Sequence, residues 1–368
     1  MRSHCRNSLL PWRNGGPTAK SGQHRSTDPR CAGPRVRGGH HEQDSGDRGA
    51  GFIGSHYVRH LLDHDDVEQV TVLDALTYAG HAENLGAAML SPRLRLVTGD
   101  IGDTALVDEL VAEHDEIVHL AAESHVDHSF AQAARFIATN VAGTQTILDA
   151  ALRHSIAKVV QVSTDEVYGP VLDGAADEDA PLAPTVPYAA SKAAADLIAL
   201  SYYRTHGVPV CVTRSSNNYG PHQHPEKIIP AHITALLHGA EIVLHGDGRH
   251  VRNWLHVADN CVGLDLVRRH GVPGQVYNLG GGTDLTNESL TGLILDAMGA
   301  DWDRVVRVPD RRCNDRRYAM TWDKIAALGY RPQRSIEDGL AETIAWYRAN
   351  ADMWAPMLAA RTAAAVRR

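Results

Sequence analysis

Four apolar runs punctuate the first half of the chain, each rich in β-branched residues and each ending in small or polar ones. They are Val70 to Asp74, Leu94 to Asp100, Glu116 to Ala122 and Lys158 to Ser163. Apolar runs of this length without alternation predict parallel strands covered on both faces. Between them lie stretches of helical period. Val58, Leu61 and Leu62 share one face, and long helices are predicted over Arg135 to His154 and Pro187 to Arg204. Strand and helix in alternation predict an α/β fold with a doubly wound parallel sheet. In the second half, helices are expected near Ile229 to Gly239, His256 to His270, Asn287 to Met298 and Ser335 to Arg348, with a short strand at Val276 to Leu279. The predicted organisation is a dinucleotide-binding domain over 49–215, a smaller substrate lobe mainly over 216–350, and a tail over 351–368.

The pattern fails in one place. A dinucleotide fold needs its first strand immediately before its glycine turn, and His40 to Arg48 offer no residue suited to a buried strand. The first strand is therefore expected to be missing from residues 1–48. Gly51, Phe52, Ile53 and Gly54 still open the first helix as a phosphate-binding turn does. Arg48, however, stands where the first glycine belongs, and a Cβ there does not fit a tight turn. Asp74 closes the next strand twenty residues after Gly54, the place for a carboxylate on an adenosine ribose, and it favours NAD over NADP.

Candidate chemistry collects at the fourth strand. Thr164, Asp165 and Glu166 follow it, at the sheet edge where open α/β folds bind ligands. Two adjacent carboxyls can act as an acid and a base if burial raises one pKa and polar contacts lower the other; a solvated acidic loop is the alternative. Tyr188 and Lys192 are four apart on a helix that opens at Pro187, so they share a face. The ammonium can draw the phenol toward ionisation and make it a base; an ordinary surface Tyr and Lys is the alternative.

In this order the motifs resemble the extended short-chain dehydrogenases, and among them the dTDP-glucose 4,6-dehydratases. The match is carried by residues 49–55, 74–80 (Asp-Ala-Leu-Thr-Tyr-Ala-Gly), 99–101, 120–127 (Leu-Ala-Ala-Glu-Ser-His-Val-Asp), 163–169 (Ser-Thr-Asp-Glu-Val-Tyr-Gly), 217–221, 225–230 (Pro-Glu-Lys-Ile-Ile-Pro), 245–255 and 315–319. It covers about residues 49–350. The resemblance implies oxidation of a nucleotide-bound glucose at C4, loss of water across C5 and C6, and return of the hydride to C6. Tyr188, helped by Thr164 and Lys192, would take the C4 hydroxyl proton. Glu166 would take the C5 proton, and Asp165 would protonate the departing C6 hydroxyl.

By the same resemblance NAD would lie against Gly51, Phe52, Ile53, Gly54, Asp74, Ala75, Leu76, Thr77, Asp100, Ile101, Leu120, Ala121, Ala122, Ser124, Thr139, Tyr188, Lys192 and Asn217. The sugar nucleotide, dTDP-glucose, would meet Ser124, Thr164, Asn218, Lys227, Ile228, His245, Gly246, Asp247, Arg252, Asn287, Asp310, Arg311, Asn314 and Asp315. Arg252 suits a diphosphate because a guanidinium binds oxygens in pairs. A homodimer is implied through a four-helix interface made by the helices over 135–154 and 187–204. The family pattern around 310–318 carries a proline and a glycine, whereas this chain reads Asp-Arg-Arg-Cys-Asn-Asp-Arg-Arg-Tyr, a less preset loop. Related UDP- or GDP-sugar dehydratases would share the catalytic set and differ at the base.

The genetic code bears on the front of the chain. His41 to Arg48 are encoded by CAY GAR CAR GAY, a serine codon such as TCN, then GGN GAY CGN. Read one base later, these codons permit Met-Ser-Arg-Ile-Leu-Val-Thr-Gly, a start, a strand and the missing glycine, joined to Gly49. An out-of-frame segment is thus expected over 1–48, with a disordered arm as the alternative and a non-catalytic product as its consequence.

Composition changes little. The 368 residues are 43% hydrophobic, enough for two packed lobes. Residues 1–48 hold nine Lys or Arg against four Asp or Glu, but only Trp12 interleaves them, so no nucleic acid partner is expected. The five cysteines show no metal spacing, and no metal is expected. No apolar run spans a membrane or forms a signal peptide, so no membrane partner and a cytoplasmic location are expected.

Overall fold

The structure, a computed structural model, describes residues 36–42, 49–77 and 80–366, with 36–42 and 359–366 given by backbone alone. Tyr78, Ala79 and most of the segment behind the reading-frame expectation, residues 43–48, lie outside the described residues.

In chain order the first elements are β1 (Val36–Glu42), α1 (Phe52–Leu62), β2 (Val67–Asp74), β3 (Leu94–Thr98), α2 (Thr104–Val111) and β4 (Glu116–His119). Two short helices follow, α3 (Val126–Ala131) and α4 (Ala133–Phe136), then a π-helical turn over Ile137–Gly143 that runs into α5 (Thr144–Arg153). The predicted helix over 135–154 is therefore continuous but widened near its start. Next come β5 (Lys158–Thr164), α6 (Pro187–His206), β6 (Val210–Ser215), β7 (Asn217–Tyr219), α7 (Ile228–Leu237), β8 (Ile242–His245), β9 (Val251–His256) and α8 (Val257–His270). The chain closes with β10 (Val276–Leu279), β11 (Thr283–Thr286), α9 (Asn287–Met298), β12 (Val305–Val308), α10 (Asp323–Ala326), α11 (Ile336–Ala349) and α12 (Ala351–Val366). The stretch expected to be a tail is thus mostly a helix.

Seven strands make one parallel sheet in the order β10-β6-β5-β4-β1-β2-β3. The order reverses between β1 and β4, which opens a crevice at the carboxyl ends there. Apolar clusters cover both faces. One includes Tyr57, Val58 and Leu61 of α1 with Leu264 and Val267 of α8. The other includes Val107 and Leu110 of α2 with Ile147, Leu148 and Leu200 of α5 and α6. A third cluster, built on Ile233, Leu290, Ile294, Leu340 and Tyr347, forms the small lobe around α7, α9 and α11. There β11-β9-β7 and β12-β8 form the minor sheets.

Two expectations are corrected. The first strand is present. Val36–Glu42 pairs with β2 from Val36 opposite Val67 to Glu42 opposite Asp74, and with β4 from Gly38 opposite Glu116 to His41 opposite His119. Its backbone fills the slot between two strands whose facing amides and carbonyls need partners, and main-chain pairing does not depend on apolar side chains. It also ends at Glu42, well short of Gly51. The second correction concerns the boundary at residue 215. β10 pairs with β6 as the edge of the large sheet, and α8 packs on α1, so the nucleotide side draws on residues 257–279 as well.

Candidate active site

α6 owes its start to Pro187 at the first helical position and its end to Gly207 at φ 74°. This 20-residue helix lies against β5, so its Tyr188 and Lys192 meet the strand end at Thr164. Lys192 is buried and its Nζ donates to the Val162 carbonyl at 2.7 Å, fixing the ammonium beneath the strand. Tyr188 packs edge-on to Phe136. Asn140, in the π-helical turn, donates to Ser191 Oγ at 2.8 Å and to the Glu123 carbonyl at 3.0 Å, and its Oδ1 accepts the Glu123 amide at 2.7 Å. That wide turn thus pins α6 to the exit of β4.

The carboxylate pair sits on a short 3₁₀ turn, Asp165–Tyr168, capped by Thr164 Oγ1 accepting the Glu166 amide at 3.3 Å. The same hydroxyl donates to Asp165 Oδ1 at 3.3 Å, and Asp165 Oδ2 is buried with no hydrogen-bond partner among the described residues. Loss of water around Asp165, reinforced by the charge of Glu166, pushes its carboxyl up to about 7. Desolvation raises Glu166 as well, while Arg252 and Lys227 pull it back. Burial thus favours the neutral form of both carboxyls, and Asp165 can exchange its proton near neutrality. Gly169 ends the turn at φ 72°, where a Cβ would stand 2.1 Å from the Ala183 carbonyl oxygen.

A cavity of about 120 Å³ gathers much of the expected set: Phe52, Ile53, Leu120, Ala122, Ser124, Thr164, Asp165, Glu166, Tyr188, Lys192, Asn217, Asn218 and Lys227. The other expected cofactor contacts are distributed around it. Gly51 caps α1 with no side chain over the helix amides. Ala75, Leu76 and Thr77 leave the end of β2, and Asp100 and Ile101 leave β3, with Asp100 Oδ1 accepting the Gly102 amide at 2.5 Å. Gly54 is buried in the first turn of α1, Thr139 in the π-helical turn, and Ala121 in the core beneath the crevice. Asp74 is fully buried; its Oδ2 accepts the Ala50 amide at 3.1 Å and its Oδ1 the Leu76 amide at 2.7 Å.

A larger cavity of about 800 Å³ adjoins the first, sharing Ser124, Glu166, Asn217, Asn218 and Lys227, and runs into the small lobe past Ile228, His245, Arg252, Asn287, Arg311, Asn314 and Asp315. Arg252 stacks on Tyr318 with its guanidinium carbon 4.4 Å from the ring centre, and its Nη2 donates to Asn314 Oδ1 at 3.1 Å. Asp315 accepts from Thr185 at 2.6 Å and from Tyr318 at 2.9 Å. Three expected substrate residues line neither cavity. Asp247 pairs with Arg316 at 2.8 Å, Gly246 is the turn at φ 60° after β8, and Asp310 pairs with His250 at 3.2 Å while accepting from Asn314 at 2.9 Å. Asp310 thus steadies Asn314 in a loop that lacks proline and glycine. Sequence reasoning missed Gln223, Val186 and Tyr318 as lining residues, while Cys313 falls within the 310–315 stretch matched to the sugar nucleotide. Tyr318 stood inside a matched motif; the others carry no local signal.

A doubly wound sheet whose order reverses beside a glycine-capped helix, with Tyr188 and Lys192 one turn apart at the cavity, defines an extended short-chain dehydrogenase. Residues 49–343 match the model of the GDP-mannose 4,6-dehydratase family, and the chain belongs to that family. It is 56% identical over 314 residues to a dTDP-glucose 4,6-dehydratase of Streptomyces antibioticus, covering 84% of this chain and 93% of that one. It is 52% identical over 312 residues to one from an Actinoplanes strain, covering 83% and 98%. The crystal structure of the dTDP-glucose 4,6-dehydratase DesIV from Streptomyces venezuelae, with NAD and TYD bound, superposes with a TM-score of 0.83 at 51% identity, covering 87% of this chain and 99% of that one.

Proposed function

We propose that this chain is an NAD-dependent dTDP-glucose 4,6-dehydratase serving deoxysugar biosynthesis. The observation that carries the reading is the joining of Tyr188 and Lys192 with the desolvated pair Asp165 and Glu166 in one cavity. The residues present fit NAD: the bare helix end at Gly51 suits a pyrophosphate, the apolar walls Phe52, Ile53 and Leu120 suit a flat ring, and Asp74 stands at the ribose position. When bound there, NAD supplies reversible hydride acceptance.

Tyr188, beside the buried Lys192, takes the C4 hydroxyl proton, with Thr164 orienting that hydroxyl. A ketone at C4 then acidifies C5, whose proton Glu166 removes. Asp165, protonated near neutrality, delivers its proton to the C6 hydroxyl as water leaves. Ser124, Asn218, Lys227, Arg252, Asn287 and Asn314 hold the sugar and its nucleoside diphosphate, with Arg252 braced on Tyr318 for the phosphates. Gly246, Asp247 and Asp310 act behind these contacts.

The working unit is a homodimer through α5 and α6, which leave Leu152 and Leu197 exposed at 39% and 58%. Among the described residues no helix is long and apolar enough to cross a membrane, and the reading is of a cytoplasmic enzyme. Incubation with dTDP-glucose and with UDP-glucose tests the proposal. A base-labile 4-keto product is expected, preferentially from dTDP-glucose; its absence with both nucleotides overturns the reading.

The out-of-frame reading of residues 41–48 stands as a further part of this proposal. The family match opens at Gly49, the residue to which Met-Ser-Arg-Ile-Leu-Val-Thr-Gly would join. In that version the strand would run directly into the glycine turn.

A further inference from the structure

On the face opposite the active-site helix pair, α8 packs across α1, and a set of nitrogen and oxygen donors lies between them. His60 lies in the last turn of α1, His64 two residues past its end, and Asp265 projects from α8. Asp265 Oδ2 is 3.7 Å from His60 Nε2 and 3.9 Å from His64 Nε2, and the three donor atoms lie within 4.8 Å of one another. These separations are too long for hydrogen bonds, and His60 Nε2 is buried with no hydrogen-bond partner among the described residues. A tetrahedral ion with bonds of about 2.0–2.2 Å would need the donors roughly 3.3–3.5 Å apart, within reach of small rotations of three side chains.

The charge around the set also favours a cation. Asp265 Oδ1 accepts from Arg268 and Oδ2 from Arg269, at 2.8 and 2.7 Å. Arg268 in turn holds Glu116 at 2.8 Å, and Arg269 grips both oxygens of Asp66, the closer at 2.5 Å. Three carboxylates thus face two guanidiniums, leaving one negative charge over. Asp63, Asp65 and Glu68 add to the acidity of this turn. Two further cations, Arg59 and Arg93, are committed to main-chain carbonyls, Arg59 to that of Asn84 and Arg93 to those of Leu62, His64 and Val67. Tyr57 stacks on His60 at 6.1 Å and closes one side.

We propose that His60, His64 and Asp265 form a binding site for a divalent transition metal of borderline softness, best suited to Zn²⁺, with water as the fourth ligand. None of the three lines either cavity, so the ion takes no part in dehydration. It clamps α8 to the far end of the helix whose near end carries the glycine turn. Binding to the folded state alone then stabilises the protein by mass action.

The test uses the full 368-residue chain, stripped with EDTA and desalted. Zn²⁺ is titrated by calorimetry, and Co²⁺ by its visible absorption. Expected are one Zn²⁺ per chain, a tetrahedral Co²⁺ band, and a Tm that rises with Zn²⁺. His60→Ala and His64→Ala should each weaken Zn²⁺ by about tenfold or more and abolish the band. His64→Gln, at a half-exposed position, tests the same ligand with the least threat to folding. The kcat for dehydration should stay unchanged in all three variants. No saturable binding, or binding that survives these substitutions because other histidines carry it, overturns the site.

Discussion

β5 and β1 hold equivalent places, each inside the large sheet with a parallel neighbour on either side. Their sequences could hardly differ more. β5 reads Lys-Val-Val-Gln-Val-Ser-Thr and is buried from Val159 to Ser163, whereas β1 reads Val-Arg-Gly-Gly-His-His-Glu. The difference separates two contributions to a sheet. Main-chain pairing accepts almost any extended segment, so the slot between β2 and β4 is filled. Transfer of side chains out of water is selective, and only β5 brings residues that gain from it. The two strands also end in different work, since β5 delivers Asp165 and Glu166 while β1 should lead into the cofactor turn.

The largest effect should come from removing the difference. Replacing residues 1–48 by Met-Ser-Arg-Ile-Leu-Val-Thr-Gly puts Ile, Leu and Val into the slot, worth on the order of 4–8 kcal/mol if all three are buried. Thermal melts and NAD titration should show a more stable chain that holds NAD more tightly. Equal stability and affinity in the two versions would erase the comparison and the reading-frame proposal with it.

At the other strand, Glu166→Gln should lower product formation by about 10²–10⁴-fold while the sugar nucleotide still raises nicotinamide absorbance at an early stage. Loss of that absorbance as well would remove Glu166 from its role at C5.

Asp165→Asn should stabilise the protein in a pH-dependent way. The folded-state pKa, about 7, lies above the ordinary 3.8, so the wild type is penalised for ionising this carboxyl. The penalty is absent below about pH 3.8, grows to pH 7 and then levels at roughly 4 kcal/mol at most. The Tm gain of the variant should therefore be larger at pH 8 than at pH 4; a gain independent of pH would contradict the burial argument. Smallest of all, Val160→Ala should cost about 1–3 kcal/mol in urea melts, as expected where β5 burial does the holding.

The sheet and the grouping of the candidate residues were legible because each is local. An apolar run marks β5, and a spacing of four puts Tyr188 and Lys192 on one face. Parallel pairing at long range was not legible. Val276–Leu279 is a short apolar run that could join either lobe, and only its register on β6 assigns it. The packing of α8 on α1 is of the same kind. β1 was unreadable for the opposite reason, since pairing by backbone leaves no mark in side-chain pattern. On the small lobe, Asp247 and Asp310 looked like ligands because they stand in motifs, yet each is engaged within the protein, Asp247 by the Arg316 guanidinium and Asp310 by the His250 imidazole. A motif marks a neighbourhood; which member faces the cavity depends on the partner each finds.

Asp74 carries a consequence for anyone who would retrofit this enzyme to the phosphorylated cofactor. The usual recipe exchanges such a carboxylate for a smaller neutral residue, treating it as a selectivity filter alone. Here the same two oxygens tie the amide of Ala50, beside the glycine turn, to that of Leu76, which sits at a positive φ of 48°. The exchange would unlace the loops at Ala50 and Leu76 at once, so, if Asp74 meets the ribose as proposed, altered cofactor choice and a weakened scaffold should arrive together, and a successful redesign has to replace the lacing before it changes the filter.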